Sequence, residues 1–108
     1  MTPSQSGRLF TALADPTRRA IFQNLARRGE HTVRALTNRA RISQPAVSKH
    51  LAVLRRARLV SGRRAGRETF YRARMTGLAP LVNWMSVYAA FWQKRLDALE
   101  ELLGRMEP

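Results

Sequence analysis

The sequence has no cysteine, few acidic residues and no long apolar run. The absence of cysteine excludes disulfide bonds, thiolate metal sites and thiol redox sensing. The longest uninterrupted apolar segment, residues 87–92, is far shorter than the roughly 20 residues that a membrane-spanning helix needs. No signal-peptide pattern opens the chain. We therefore expect a soluble, cytoplasmic protein with no membrane partner, and its 108 residues suit one domain with a real core.

The shortage of acidic residues is confined to the first two thirds of the chain. Residues 1–76 contain 17 Lys or Arg and three acids, a net charge of +14, whereas residues 77–108 have a net charge of −1. Because each basic contact with a phosphate releases condensed counterions, this charge favours a nucleic-acid partner. A ribosomal or histone-like protein would carry similar charge, so charge alone leaves that alternative open.

Residues 42–54 have the pattern of a helix that reads double-stranded DNA. Ser43 is a suitable N-cap, and Pro45 falls in the first turn, where its missing N–H costs nothing. Three apolar residues recur on one face of this helix: Val47, Leu51 and Leu54. The opposite face is predicted to carry polar side chains of the kind that reach base edges in a major groove: Gln44, Ser48 and Lys49.

The neighbouring periodicity predicts a helix-turn-helix followed by a hairpin. After a polar, frayed segment 1–7, we expect helices over 8–13, from Asp15-Pro16 to about Gly29, and over 32–39. A turn at 40–42 then leads into the recognition helix, 44–57. Two short strands, 59–64 and 67–72, flank Ala65-Gly66 and form a basic hairpin, or wing. The predicted fold is mainly α with a small β-hairpin, a winged helix-turn-helix core over 8–76.

Three arginines with no acid among them cluster at the predicted wing tip: Arg63, Arg64 and Arg67. Hairpin tips are often charged for solubility alone, but we favour contacts with phosphates or a minor groove. His50 can either bond to DNA or pack at the helix edge, whereas His31 is expected to be a solvated loop residue. The predicted DNA-binding residues are Ser43, Gln44, Ser48, Lys49, His50, Arg39, Arg41, Arg63, Arg64 and Arg67.

Residues 77–106 are predicted to form one long amphipathic helix in the same single domain. Its length, about 40 Å, exceeds what a small winged core can cover, so a second copy of the chain is expected to bury the surplus apolar face. Its aromatic residues suit either an effector pocket or, as we favour, a core or dimer interface. The predicted interface residues are Leu9, Phe10, Leu81, Trp84, Met85, Tyr88, Phe91, Trp92, Leu96 and Leu99.

Four motifs together resemble the arsenic-repressor-like (ArsR) family of bacterial winged-helix regulators. They are LADPTRR at 13–19, SQPAVSKHL at 43–51, LRRARLV at 54–60, and GR at 66–67 with FY at 70–71. The resemblance covers residues 8–74. It implies a homodimeric repressor, bound to an inverted-repeat operator, that leaves the operator when an effector binds. Whether this chain has a small-molecule effector stays open.

The sequence departs from the metal-sensing members that it resembles. Thr32 and Arg34 stand where the resemblance implies cysteines before the helix-turn-helix. The last helix has acids at Asp97, Glu100 and Glu101 but no histidine. Since a transition-metal site needs three or four converging ligands, we predict no metal and no cofactor. The tail beginning at Phe91 resembles a metal-independent branch of the family.

The sequence offers no pattern of catalytic residues. It has no cysteine nucleophile, no glycine-rich phosphate loop and no Ser, His and Asp at recognisable spacing. We therefore predict a transcriptional regulator rather than an enzyme, most simply a sequence-specific, autoregulatory repressor associated with the nucleoid. The alternative is a non-specific architectural DNA-binding protein, which would bind random DNA as tightly as a promoter.

Overall fold

The fold is mainly helical, with one small antiparallel sheet. The computed structural model describes residues 4–106. Its elements in chain order are α1 (Gln5–Ala14), α2 (Pro16–Arg28), β1 (His31–Thr32), α3 (Val33–Ala40), α4 (Gln44–Arg56), β2 (Val60–Ala65), β3 (Glu68–Ala73), a 3₁₀ turn (Met75–Leu78) and α5 (Ala79–Met106). Helices α3 and α4 form the helix-turn-helix, and strands β2 and β3 form the wing. The predicted fold class is confirmed.

Polar side chains start the first four helices. Ser4, Asp15, Thr32 and Ser43 each accept a hydrogen bond from the backbone N–H three residues later. The caps predicted at Asp15 and Ser43 are confirmed. The expectation of a frayed segment 1–7 is wrong for residues 5–7, because the Ser4 cap starts α1 at Gln5; residues 1–3 lie outside the described residues.

A two-residue strand that the periodicity does not reveal completes the sheet. Strand β1 pairs antiparallel with β3, His31 opposite Tyr71 and Thr32 opposite Phe70, which gives the order β1–β3–β2. The Nδ1 atom of His31 lies 2.8 Å from the carbonyl oxygen of Gly29. The prediction of a solvated loop at His31 is therefore wrong. Two residues are too few to show strand alternation, so only tertiary pairing defines β1.

The core lies between the first four helices and the base of the wing. Its buried residues are Leu9, Ala12, Ile21, Phe22, Leu25, Leu36, Val47, Leu51, Leu54, Ala57, Leu59 and Val60. Leu9, predicted for a subunit interface, is 0% exposed within the single chain. The helical spacing of α1 identifies Leu9 as inward-facing but does not distinguish the chain's own core from a partner. That assignment is therefore corrected: Leu9 is a core residue.

Gly77 sits where the 3₁₀ turn crosses the backbone of Arg58. A Cβ atom there would overlap the carbonyl oxygen of Arg58 and lie 2.8 Å from its carbonyl carbon. We expect Gly77→Ala to lower the free energy of unfolding by about 1–3 kcal/mol, the usual cost of overpacking. Gly104→Ala is the matched control, because its Cβ meets nothing within 4 Å and helical Ala is favoured over Gly. Urea denaturation compares the two, and an unchanged midpoint for Gly77→Ala would contradict the clash.

Helix α5 extends well beyond the core. It contains 28 residues and is about 42 Å long, beginning at Ala79 after the 3₁₀ turn rather than at the predicted Gly77. Leu78 and Leu81 pack against the core, but residues 82–106 are all exposed in the single chain. Nowhere in residues 4–106 is there a helix both long and apolar enough to cross a membrane.

Candidate nucleic-acid interface

One face of helix α4 is buried against the core, and other α4 side chains are exposed to solvent. Val47, Leu51 and Leu54 are at most 1% exposed and fasten one face of α4 to the core. The other side chains of α4 include exposed polar and basic residues and one alanine: Ser48, Lys49, Ala52, Arg55 and Arg56, of which Arg56 borders a groove with Arg8 and Thr11 of α1. The Ser43 hydroxyl caps the helix by accepting from the Ala46 N–H, 3.2 Å away. A rigid helix with a polar front is the geometry that major-groove reading requires.

Gln44 is exposed at the start of α4, on the side facing the wing, so its predicted place on the face opposite Val47 and Leu51 is wrong: it lies one turn before Val47, on a neighbouring side of the helix. It lines a polar groove with Arg34 of α3 and with Arg67, Glu68 and Thr69 of the wing. Arg34, an exposed residue in the first turn of α3, is absent from the set predicted from the sequence. The sequence feature that could have identified Arg34 as a DNA-binding candidate is its place as a basic residue at the start of the helix before the recognition helix. The groove joins the two predicted DNA-binding elements, α4 and the wing.

His50 faces α2 rather than the front of α4. Its Nδ1 lies 4.0 Å from the Asp15 carboxylate, and its side chain is only 20% exposed. The backbone N–H of Arg18 donates to Asp15, which lowers the pKa of that carboxyl; His50 adds a smaller electrostatic contribution. Of the two roles open to His50, the structure favours packing at the helix edge over contact with a base.

Arg39 and Arg41 flank the turn of the helix-turn-helix. Arg39 is exposed in the last turn of α3, where it borders a groove with Pro16 and Thr17 at the start of α2. Arg41 ends α3 in the left-handed conformation, with φ of 57°, and its N–H donates to the Thr37 carbonyl. Both residues are exposed at the end of α3, just before α4 begins. Such positions suit contacts to the DNA backbone.

The three wing arginines do not form one cluster. Neighbouring residues of a strand point to opposite faces of the sheet, so Arg63 and Arg64 diverge. Arg64 pairs in register with Thr69, which lines the groove beside Gln44. Arg67 follows the hairpin tip and lines the same groove. Two of the three arginines are therefore on the side of the wing that faces α4.

Arg63 forms an ion pair with Glu30 on the other face of the wing. Its Nε and Nη2 donate to the two carboxylate oxygens of Glu30, at 3.0 and 2.6 Å, and its guanidinium lies 4.8 Å from the centre of the Phe70 ring. The Arg63 hydrogen bond lowers the pKa of the Glu30 carboxyl. The expectation of arginines with no acid among them is corrected here, because Glu30 is remote in sequence but adjacent in space.

A row of apolar side chains lines the exposed part of α5. Phe10 of α1 touches it, with its ring centre 5.3 Å from that of Trp84, and Trp84 contacts Tyr88 at 4.8 Å. The large side chains along this row are half exposed or more: Trp84, Met85, Tyr88, Phe91, Trp92, Leu96 and Leu99. Leu81 is partly buried against the core. The predicted interface residues, apart from Leu9 and Leu81, thus share one accessible surface.

Thr32 and Arg34 lie at the start of α3, where Thr32 has a structural role. The Thr32 hydroxyl caps α3 by accepting from the Ala35 N–H, 3.1 Å away. Within residues 4–106, no three His, Cys, Asp or Glu side chains come together in a way that could hold a metal ion.

Comparison with known proteins identifies the family. A profile described as a helix-turn-helix domain matches residues 13–63. The chain is 43% identical over 96 residues to the HTH-type transcriptional regulator Rv2034 of Mycobacterium tuberculosis, covering 89% of this chain and 86% of that protein. It is 38% identical to a probable mercury resistance operon repressor of Streptomyces lividans, over 97% of this chain and 83% of that one.

Comparison with solved structures indicates the same family. An ArsR-like transcriptional regulator from Rhodococcus sp. RHA1 superimposes with a TM-score of 0.71 and 32% identity, over 91% of this chain and 92% of that one. A second solved ArsR-family regulator, RHA00566, gives a TM-score of 0.75 at 28% identity, over 86% and 95% of the two chains. The chain belongs to the ArsR family of DNA-binding, helix-turn-helix transcriptional regulators.

Proposed function

We propose that this protein is a homodimeric repressor that binds an inverted-repeat operator and acts by binding rather than by catalysis. The observation that supports it best is the recognition helix, with its buried rear face and its exposed polar front beside a basic wing. Residues 8–76 would contact DNA, and residues 77–106 would join two subunits. We place its action in the cytoplasm, on the nucleoid.

In this proposal different residues read sequence and bind backbone. Ser48 and Lys49 on the front of α4, and Gln44 at its start, meet base edges in the major groove. Arg64 and Arg67 meet phosphates or the adjacent minor groove, and Arg39 and Arg41 meet phosphates beside α4. A two-fold dimer places its recognition helices in major grooves on one side of the DNA, so the half-sites should be centred about one helical turn, 34–36 Å, apart or a multiple of it.

The dimer is proposed from the unburied apolar row of α5. A row of seven half-exposed large side chains is unusual on a monomer surface, and two-fold symmetry lets the same row cover itself. Trp84, Tyr88 and Phe91 would lose accessible area to the partner. Phe10, which touches Trp84, would connect α1 to the same interface.

We also propose that no metal controls DNA binding in this protein. Thr32 is used as a helix cap and Arg34 is a cation, so neither supplies a metal ligand at the start of α3. An effector, if the protein responds to one, would be a metal-free small molecule.

The proposed function is tested by measuring whether the protein binds an operator more tightly than random DNA. Footprinting on DNA upstream of the protein's own gene locates an operator, and titration then compares that operator with random DNA of equal length at one salt concentration. We expect at least about a 10³-fold preference for the operator, which is the lower range for specific regulators. Equal affinity for both would instead identify an architectural DNA-binding protein.

A further inference from the structure

An ion pair between Arg63 of the wing and Glu30, which precedes β1 and α3, connects the wing to the helix-turn-helix. The ion pair lies on the face of the wing that points away from α4. Glu30 lies two residues before Thr32, and Thr32, Phe70 and Arg63 are opposite one another across the three strands. Residues two apart along an extended chain point to the same face, so Glu30 and Arg63 meet above Phe70. Their ion pair spans both strand spacings, about 10 Å, and joins the outer strands β1 and β2.

This ion pair has a directional geometry. Two parallel N–H···O bonds hold the guanidinium in one plane, and the Phe70 ring lies beside it at 4.8 Å. Arg72, which donates to the Ser61 hydroxyl at 3.2 Å, adds a second positive charge that further lowers the pKa of Glu30. Since β1 runs directly into α3, whatever fixes β2 to β1 also fixes the wing relative to the recognition helix.

We propose that Arg63 is a positioning residue and not a DNA-binding residue: paired with Glu30 across Phe70, it sets the orientation in which Arg64 and Arg67 approach DNA. This inference rests on the proposed function and changes the role expected of Arg63. It implies that Arg63 stays on Glu30 when DNA binds. The alternative is that Arg63 exchanges its ion pair with Glu30 for one with a DNA phosphate. In that case Glu30 and the phosphate compete for the Arg63 guanidinium.

The two roles predict opposite effects of neutralising Glu30. If Arg63 positions the wing, Glu30→Gln weakens operator binding by about fivefold, the upper range for an exposed ion pair. If Arg63 binds phosphate, Glu30→Gln frees it and tightens binding. Glu68→Gln is the charge control: it removes the same charge from an exposed carboxylate of the same wing, but one that lines the groove beside Gln44 and Arg67 rather than the face of Glu30 and Arg63. We expect Glu68→Gln to tighten operator binding, because it removes a negative charge from the side of the wing that faces DNA in the proposed complex.

Arg63 variants supply the second comparison. Arg63→Ala and the double variant with Glu30→Gln should both match Glu30→Gln, because the two residues act through one ion pair. Arg63→Lys should also match, because a lysine keeps the charge but lacks the two-bond fork. None of these should flatten the salt dependence of DNA binding, whereas removing a phosphate-binding residue would. Tighter binding by Glu30→Gln, wild-type binding by Arg63→Lys, or a flatter salt dependence for Arg63→Ala would each overturn the proposal.

A measurement without DNA separates this proposal from the proposed function. Amide hydrogen exchange in β2 and β3 of the free full-length protein should be faster in Glu30→Gln than in wild type, and unchanged in Glu68→Gln. Unchanged exchange in Glu30→Gln overturns the positioning role even if the operator is found. If wild-type protein shows no operator preference, the repressor proposal fails while the exchange comparison still decides how the wing is held.

Discussion

Tyr88→Glu should convert the protein from a dimer into a monomer and weaken operator binding by about 10²–10⁴-fold. Tyr88 lies in the half-exposed apolar row of α5, in contact with Trp84. A carboxylate there would be buried without a partner in a two-fold interface, which is a large cost. The loss in affinity follows because a monomer engages one half-site and forfeits the second, linked binding event.

Ala90→Glu is the matched control for this substitution. It introduces the same charge two residues further along α5, about 200° around the helix and away from the apolar row. Sedimentation at micromolar concentration should give twice the 12.3 kDa chain mass for wild type and Ala90→Glu, and 12.3 kDa for Tyr88→Glu. A wild-type mass of 12.3 kDa, or a dimeric Tyr88→Glu, would refute the α5 interface.

Gln44→Ala and Arg64→Ala should weaken DNA binding in different ways. Gln44→Ala is expected to cost about 1–3 kcal/mol on the operator and little on random DNA, because its amide reads a base edge. Arg64→Ala is expected to weaken binding to both DNAs. It should also make the salt slope shallower by roughly one unit for each phosphate that a subunit no longer neutralises.

Gln93→Ala makes the same chemical change as Gln44→Ala on exposed α5, far along the chain from the wing, and should leave both affinities unchanged. The measurements are titrations of operator and random DNA at several salt concentrations. Equal weakening on both DNAs for Gln44→Ala would mean that α4 does not read sequence. The protein would then be better described as an architectural DNA-binding protein.

Local signals in the sequence were enough to predict the helix-turn-helix. The N-caps at Asp15 and Ser43 depend on hydrogen bonds to residues three positions away. The rear face of α4 follows from the helical period alone, and the hairpin from alternation on either side of Gly66. These features depend on neighbours within one turn or one hairpin, so their prediction did not require the fold.

What the sequence could not predict depends on contacts between distant residues. Strand β1 exists only because His31 and Thr32 meet β3, some 40 residues later. The same pairing brings Glu30 to Arg63, 33 residues away, and so removes one arginine from the expected cluster. Leu9 has the spacing of an apolar helix face, and only the packed structure shows that its partner is the chain's own core.

The division of α4 into a buried rear and an exposed front has an evolutionary consequence. Core substitutions in Val47, Leu51 or Leu54 would cost several kcal/mol, a large share of the stability of a small domain. Surface substitutions such as those at Ser48, Lys49 and Ala52 usually change stability by less than about 0.5 kcal/mol. Substitutions on the front of α4 can therefore accumulate in gene duplicates while the protein stays folded, and under the proposed function such substitutions would change which operator is bound.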